Sequence, residues 1–481
     1  MSHSFFLSLI LVLFLSGCMV TPDLGPKAEL RKDLITYKQG SNNVSYPNHN
    51  WWKDYQDTQL TTLIEEGLEN SPSITEAMAR VQNANAIAIK AGASYLPSAS
   101  IDGSLTKFRQ SYNMGVPKNF VPKGFRDLGM LNANFSYELD FWGKNTDTLN
   151  AAVSNVEAAK LMFEQAKIIL STAIAEAYAN LAQYSEELEV AQETMSVRAQ
   201  TLDLFEKRHK NGLENESTVQ QARSNLAMAE AEHASLDERV HLTKNALVVL
   251  VGATPDRAVT ITSPNLSSLV PQGVPTVIPA DLISRRPDLI AAEYMVKAAA
   301  SQINIAEAGY YPNINLTGYI GHQSLGLGTF LSSDSTIGSF GPAIHLPIFD
   351  KKRVESAYMA SYADYHATLS TYESAILQAL REVADAITSH KALATRTSKT
   401  KAALIAAEKA HKIAKSRYHG GLSTYLEVLR AEDGLITARR AMAQIKARAF
   451  ILDVALIKAL GGGFKIAAIP VEGSKTKAEV L

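Results

Sequence analysis

Four short segments of the chain follow an alternation of period two. In residues 131–141, LNANFSYELDF, the odd positions are apolar or aromatic and the even positions are Asn, Ser, Glu or Asp. Residues 99–107, 313–321 and 340–348 follow the same period. Such runs are typical of tilted transmembrane β-strands, and also of amphipathic strands on a soluble core. Four strands cannot close a barrel, and lipid does not tolerate an open sheet edge. If these segments are membrane strands, several chains must therefore contribute strands to one closed barrel.

Two very long segments, 145–210 and 351–418, contain neither Gly nor Pro. At about 1.5 Å per residue, a helix through either segment spans on the order of 100 Å. The first segment carries an apolar heptad seam, typical of coiled coils. The seam residues are Leu170, Ile174, Ala177, Leu181, Tyr184, Leu188, Ala191 and Met195. Return helices are predicted over 214–251 and 422–460, which gives two coiled-coil hairpins at 145–251 and 351–460.

The chain repeats itself with an offset of 209 residues, set by Gly212 and Gly421. Residues 208–232 return at 417–441, and Tyr95-Leu96-Pro97 returns as Tyr311-Pro312. Both copies run in the same order, namely helix, strand, strand, long helix, turn and long helix. The predicted organisation comprises a signal at 1–17, an N-terminal segment at 18–58, a first repeat at 59–252, an equatorial linker at 253–280, a second repeat at 281–460, and a tail at 461–481.

The N-terminus carries the only cysteine, Cys18, directly after an apolar run and the small residues Ser16 and Gly17. The run is too short for a transmembrane helix and has the length of a signal-peptide core. The sequence LSGC is similar to the bacterial lipoprotein box, which implies a diacylglycerol and an N-acyl chain on Cys18. Met19 follows rather than Asp, which implies sorting to the outer membrane. The alternative is an ordinary secretory signal with an incidental cysteine.

Composition and motifs give no sign of catalysis. The net charge of −1 does not favour nucleic-acid binding. No phosphate-binding loop, nucleophile elbow or Walker motif is present in the sequence. His209 and His419 lie beside the two turns and could sense pH or bind a metal, but exposed turn residues are the favoured interpretation. We expect no enzyme, no metal site and no cofactor beyond the lipid on Cys18.

Three motifs resemble those of a known family. They are FWGK at 141–144 and PIFDKKR at 347–353, which open the long helices, and RRPDL within 280–293. With the order of elements, they resemble a TolC-type outer-membrane factor of the lipoprotein branch that serves resistance-nodulation-division efflux pumps. The resemblance implies a mostly α fold with a membrane β part, assembled as a homotrimer. Four strands from each chain would close a twelve-stranded outer-membrane barrel, continued across the periplasm by a long α-helical barrel.

The same resemblance implies that the tunnel closes at its periplasmic tip. In the segment 417–433, Tyr418 matches the family tyrosine and Glu427 matches an acidic ring position. Arg430 stands where relatives often carry Asp, and Glu432 and Asp433 follow. The hypothesis is that Arg430 pairs with Glu427 or Glu432, within or across chains, and partly holds the closed state. The alternative is a solvated helix end with ordinary charges.

The resemblance also implies partners and a function. The turns at Asn211-Gly212 and Gly420-Gly421 would contact a periplasmic adaptor, which links the duct to an inner-membrane transporter. The expected function is a passive exit duct for drugs and other toxic small molecules, embedded in outer-membrane lipid. The alternatives are the exit duct of a type I protein secretion system, a periplasmic adaptor, or a structural lipoprotein.

Overall fold

The computed structural model describes residues 21–31, 47–271, 284–347 and 349–465. Cys18, residues 272–280 of the linker and residues 466–481 of the tail lie outside the described residues. The helices are α1 (Thr58–Asn70), α2 (Pro72–Ala93), α3 (Lys144–Lys210), α4 (Glu216–Val251), α5 (Pro287–Ala308), α6 (Lys351–His419) and α7 (Tyr425–Ala459). The strands are β1 (Ser98–Phe108), β2 (Arg126–Glu138), β3 (Asn313–Leu325) and β4 (Thr336–His345).

The four strands form one antiparallel sheet in the order β1-β2-β3-β4. The register places Ile101 opposite Ala133, which lies opposite Ile320 and then Gly338, so the apolar positions of all four strands share one face. Large apolar side chains on that face are exposed in the single chain, including Ile101 at 77% and Phe340 at 73%. Because β1 and β4 are edge strands of this sheet, both the sheet edges and the apolar face require further partners.

Strand β2 begins five residues before the predicted alternation at 131–141 begins, and it ends three residues before that alternation ends. The early end has a local cause, because the Asp140 carboxylate accepts hydrogen bonds from the backbone N–H groups of Asn145 and Thr146. Gly143, at φ 75°, then turns the chain into α3. Strand β4 likewise lies at 336–345 rather than 340–348, and Ile348 lies outside the described residues.

The long helices pair as two hairpins, here called hairpin 1 (α3 and α4) and hairpin 2 (α6 and α7). Toward the turns at 211–215 and 420–424, here called the tips, α3 also packs against α7. The helices of one chain therefore lie in the order α4, α3, α7, α6. Nearer the sheet, α2 packs on α3, and α5 packs between α3 and α6. Each chain therefore contributes four helices to each half of the helical layer: α4, α3, α7 and α6 near the tips, and α2, α3, α5 and α6 near the sheet. Helix α6 lies at the edge in both halves.

An apolar core about halfway along α3, at a level here called the equator, joins the two hairpins. It contains Trp51 from a short 3-10 helix, Leu63 of α1, Ile174 and Leu181 of α3, and Phe450 of α7, all nearly or fully buried. The Tyr55 hydroxyl donates a buried 2.5 Å hydrogen bond to Asp453 beside this core. Gly67 of α1 lies so close to α3 that a Cβ there would be 2.6 Å from Ile174 Cδ1.

The RRPDL motif places a buried arginine at the start of α5. Arg286 is 5% exposed, and its guanidinium donates two hydrogen bonds to Asp288 at 3.1 and 2.8 Å. Its Nη1 also donates to Glu382 of α6 at 2.7 Å and to the carbonyl of Ala459 of α7 at 3.1 Å. One planar, five-donor side chain therefore ties three helices together.

The N-terminal segment runs along α6. The Tyr362 hydroxyl lies 3.0 Å from the carbonyl oxygens of Gly25 and Pro26, and the Tyr365 hydroxyl donates to Ala28 at 2.6 Å. Among the described residues, no helix has the length and hydropathy of a membrane span.

Candidate functional site at the helix tips

The heptad seam of α3 changes character toward the tip. The predicted seam residues are buried or half-buried, and from Leu170 to Leu188 they lie in or against the equatorial core. Met195 is the last residue of the predicted seam, and the next heptad position is Arg198, which is 6% exposed. A buried cation therefore interrupts the apolar seam, which resumes at Leu202 and Phe205.

Arg198 forms the ion pairs that link α3 to α7 at the tip. Its Nη2 donates to Asp433 Oδ1 at 2.7 Å, and its Nη1 lies 3.5 Å from Glu432 Oε2. Asp433 is exposed, whereas Glu432 is 6% exposed. We call Arg198, Glu432 and Asp433 the tip latch, since they join two hairpins that are far apart in sequence.

Aromatic side chains pack directly below the turns and extend the latch. The ring of Tyr425 lies edge-on to Phe205 at 4.9 Å and to Tyr418 at 5.3 Å between centroids. The Tyr425 and Thr201 hydroxyls share a hydrogen bond of 2.6 Å. Tyr418, predicted as a gate residue, therefore contacts the first residue of α7, and the contact between the hairpins combines apolar and polar interactions.

The structure brings together only part of the predicted gate set. Glu432 and Asp433 lie in the tip latch, but Glu427 and Arg430 are exposed. Within the chain and among the described residues, Arg430 forms no ion pair, so the predicted intrachain pairing of Arg430 with Glu427 or Glu432 is not observed. Arg198 occupies that role for Glu432. A pairing of Arg430 across chains stays a prediction.

Burial dominates the electrostatics of Glu432. The loss of solvent raises the pKa of its carboxyl group above the ordinary 4.5, while Arg198 lowers it, Asp433 raises it and Lys415 of α6 lowers it. Among the described residues, Glu432 Oε2 accepts no hydrogen bond. The latch therefore holds a carboxylate that is only partly compensated, and this buried arrangement carries a desolvation cost that a solvated one would not.

The two turns have the same geometry. Gly212 and Gly421 both have φ of 71°, and the next residue in each case, Leu213 or Leu422, donates to the carbonyl of the residue five positions earlier at 2.9 Å. This is the glycine-terminated helix end that the repeat predicts. Apart from the two adjoining residues, a Cβ on either glycine would meet no atom of the described chain within 4 Å, so both turn glycines lie at the surface of the single chain.

His209 is held by its own hairpin. Its Nδ1 lies 3.0 Å from the carbonyl of Glu214, and its Nε2 lies 3.2 Å from Glu216. In the described part of the chain, no three His, Cys, Asp or Glu side chains are arranged to hold a metal ion.

Comparison with known proteins decides the family. The sequence matches the model of the outer membrane efflux protein family over residues 63–253 and 278–462. The chain belongs to this family. Among curated relatives, the fusaric acid resistance protein FusA of Burkholderia cepacia is 31% identical over 366 residues, which cover 73% of this chain and 68% of FusA. The pyoverdine export outer membrane protein OpmQ of Pseudomonas putida is 28% identical, with 87% of this chain and 89% of OpmQ covered.

Solved structures agree with this assignment. The outer membrane protein VceC of Vibrio cholerae superposes with a TM-score of 0.80 at 42% identity, covering 87% of this chain and all of VceC. The CmeC channel of Campylobacter jejuni has the same fold, with a TM-score of 0.82 at 22% identity. The resemblance to TolC-type outer-membrane factors is thus confirmed. The protein is an outer-membrane efflux channel in which three copies pool four strands each, continued by helices across the periplasm.

Proposed function

We propose that the trimer is a passive exit duct for small molecules, with the helix tips as its gate. Energy would come from an inner-membrane transporter of the resistance-nodulation-division class, coupled through a periplasmic adaptor. The relatives are named for different cargoes, including fusaric acid, pyoverdine and cations. A shared architecture with differing cargo supports a duct that performs no chemistry and leaves cargo selection to the pump.

The tip latch carries the gate proposal. Hairpins 1 and 2 are joined at the equator by a large apolar cluster, but at the tip by a cation, two carboxylates and a small apolar cluster around Phe205 and Tyr425. Separation of the tips would break few contacts, and it would release Glu432 and Arg198 to solvent, which offsets part of the lost attraction. Rearrangement at the tip is therefore the least costly way to widen the duct.

Glu427 is the candidate for an acidic ring at the constriction. It lies in the first turn of α7 and is exposed in the single chain, as is Arg430 one turn later. Three symmetry-related copies of Glu427 would concentrate negative charge and favour cations at the closed tip. Arg430 would moderate that charge, or pair with a carboxylate of a neighbouring copy.

The turns are the candidate adaptor contacts, and Cys18 is the candidate anchor. Asn211-Gly212 and Gly420-Gly421 present open backbone at the end of the helices, which a hairpin from an adaptor could approach closely. Residues 21–31 lie against α6, which supports an anchor at Cys18 on the membrane side of the helical layer. Several acyl chains on one cysteine would hold the N-terminus stably in lipid.

A conductance measurement with a matched control tests the gate. Arg198→Ala removes the cation that joins the hairpins, whereas Arg223→Ala removes the Arg223–Glu206 pair of 2.9 Å, which lies within hairpin 1. In single-channel recordings of the trimer in planar bilayers, Arg198→Ala should raise the conductance of the closed state and Arg223→Ala should not. Equal conductance of wild type and Arg198→Ala would contradict the proposal that the tip latch holds the gate closed.

A further inference from the structure

Away from the tip, the two hairpins carry opposite charges at the same level. Hairpin 1 has two segments that contain carboxylates and no Lys or Arg, 186–193 on α3 and 230–238 on α4. Hairpin 2 has two segments that contain Lys or Arg and no carboxylate, 391–401 on α6 and 439–448 on α7. The acids are Glu186, Glu187, Glu189, Glu193, Glu230, Glu232, Asp237 and Glu238. The bases are Lys391, Arg396, Lys399, Lys401, Arg439, Arg440, Lys446 and Arg448. We call these four segments the charged belt.

Six of the sixteen charged side chains of the belt form ion pairs within one chain. Arg439 of α7 lies 2.6 Å from Glu193 of α3, and Lys446 lies 3.3 Å from Glu186. Arg440 reaches Glu232 of α4 at 2.9 Å. The contact between α3 and α7 therefore uses acids on hairpin 1 and bases on hairpin 2.

Two of the four belt segments lie on the outer helices, α4 and α6. Because the helices of one chain lie in the order α4, α3, α7, α6, the inner pair separates α4 from α6. All four bases on α6 are exposed, as are Glu230, Asp237 and Glu238 on α4. Among the described residues, six of these seven side chains form no ion pair within the chain. The seventh, Asp237, lies 3.8 Å from His241.

The internal repeat gives the register in which these outer helices would meet. In a ring of three copies, α6 of one chain is adjacent to α4 of the next, and the offset of 209 residues makes this contact the counterpart of α3 against α7. The Glu193–Arg439 pair maps onto position 402 of α6 and Glu230 of α4. The Glu186–Lys446 pair maps onto position 395 and Asp237.

We propose that the exposed charges of α4 and α6 form part of the interface between neighbouring copies, with Lys399 set between Glu230 and Asp237 of the next chain and Lys391 one turn beyond Asp237. Lys391 and Lys399 lie four residues on either side of position 395, so both share the helix face that the repeat places opposite these acids. In the contact within the chain, α3 is acidic and α7 is basic. At the proposed interface the signs are reversed, because α6, the counterpart of α3, is basic and α4, the counterpart of α7, is acidic. The partner is a second copy of this chain.

The inversion has a consequence for assembly. Every favourable contact in the ring joins hairpin 1 to hairpin 2, whereas contact between two copies of one hairpin would bring like charges together. The two hairpins have similar shape because they are repeats, so shape alone discriminates poorly between the correct and incorrect neighbours. The charged belt would enforce strict alternation around the ring.

A charge swap in the full-length trimer tests this interface independently of the gate, because the measurement is assembly and not conductance. Lys391→Glu with Lys399→Glu should lower the temperature at which the trimer dissociates in mild detergent, as followed by light scattering. The reduction should be greatest at low ionic strength, since salt screens the new repulsion. Adding Glu230→Lys and Asp237→Lys to the same chain should restore the dissociation temperature.

The matched control reverses two charges on the same helix outside the belt. Lys409→Glu with Lys412→Glu lies near the level of Arg223 of α4, so it should leave the dissociation temperature unchanged or raise it. The proposal is overturned if the belt reversal behaves like this control, or if the four-residue swap dissociates as readily as the two-residue reversal. Restoration by the swap also shows that the substituted chains fold.

Discussion

The two halves of α3 contact hairpin 2 with different chemistry. At the equator, Ile174 and Leu181 are fully buried in a cluster that includes Phe450 of α7. Toward the tip, the same helix meets α7 through Arg198, with Glu432 and Asp433 as partners. Apolar packing has no low-cost alternative in water, whereas separated ions regain hydration. The proposed gate therefore lies at the tip, and the equator would stay fixed when the gate opens.

The largest effect is expected from a cavity at the equator. Ile174→Ala removes a fully buried side chain that contacts α1 across Gly67, and should destabilise the trimer by about 2–5 kcal/mol. Thermal unfolding followed by circular dichroism would measure the loss. Val259→Ala, at a side chain 87% exposed in the chain, is the control and should change little. A stable Ile174→Ala trimer would show that the equator is not the fixed region.

A smaller but still large effect is expected at Arg286. Arg286→Ala leaves the carboxylates of Asp288 and Glu382 without their shared cation. Both carboxylates are partly exposed, so the loss should be about 1–3 kcal/mol, below that of a fully buried ion pair. Arg286→Lys should recover only part of this loss, since an ammonium cannot bind Asp288 in the bidentate manner. Full recovery of the unfolding temperature by lysine would contradict the role of the planar guanidinium.

At the tip, the effect should appear as pH dependence rather than as lost stability. The closed arrangement raises the pKa of Glu432, mainly by burial. The closed tip is then favoured below pH 4.5, where the carboxyl is protonated in both states, and loses that advantage as pH rises through the raised pKa. Closed-state conductance should therefore increase with pH in wild type. Glu432→Gln should make it lower and independent of pH in this range, and an unchanged pH profile would contradict this account.

The sequence predicts the helical part of this architecture well and the latch poorly. Heptad spacing from Leu170 to Met195 identifies the seam, and one further step would have reached Arg198. Its partner Asp433 lies 235 residues away in the chain, and no local pattern reports such a distance. The pairing of Arg430 with Glu427 or Glu432 was a hypothesis from the place of Arg430 in the family motif, and that place does not show that α3 supplies the cation for Glu432.

Strand boundaries were harder to predict for a related reason. The alternation through 131–141 continues past Glu138, although Asp140 already accepts the first hydrogen bonds of α3. A polar residue on one face of a strand and a helix-capping carboxylate look the same in a period-two pattern. The faces of the strands were nevertheless predictable, because the register of β1 to β4 aligns the apolar positions that the pattern selected.

Distances between spin labels across the trimer would test the contrast between equator and tip most directly. Leu422 at the tip and Val259 near the equator are both exposed, so each can be replaced by cysteine and labelled separately, with and without Arg198→Ala. We predict that Arg198→Ala lengthens and broadens the distances at position 422 and leaves those at position 259 unchanged. Unchanged distances at 422, or equal changes at both sites, would contradict a latch confined to the tip.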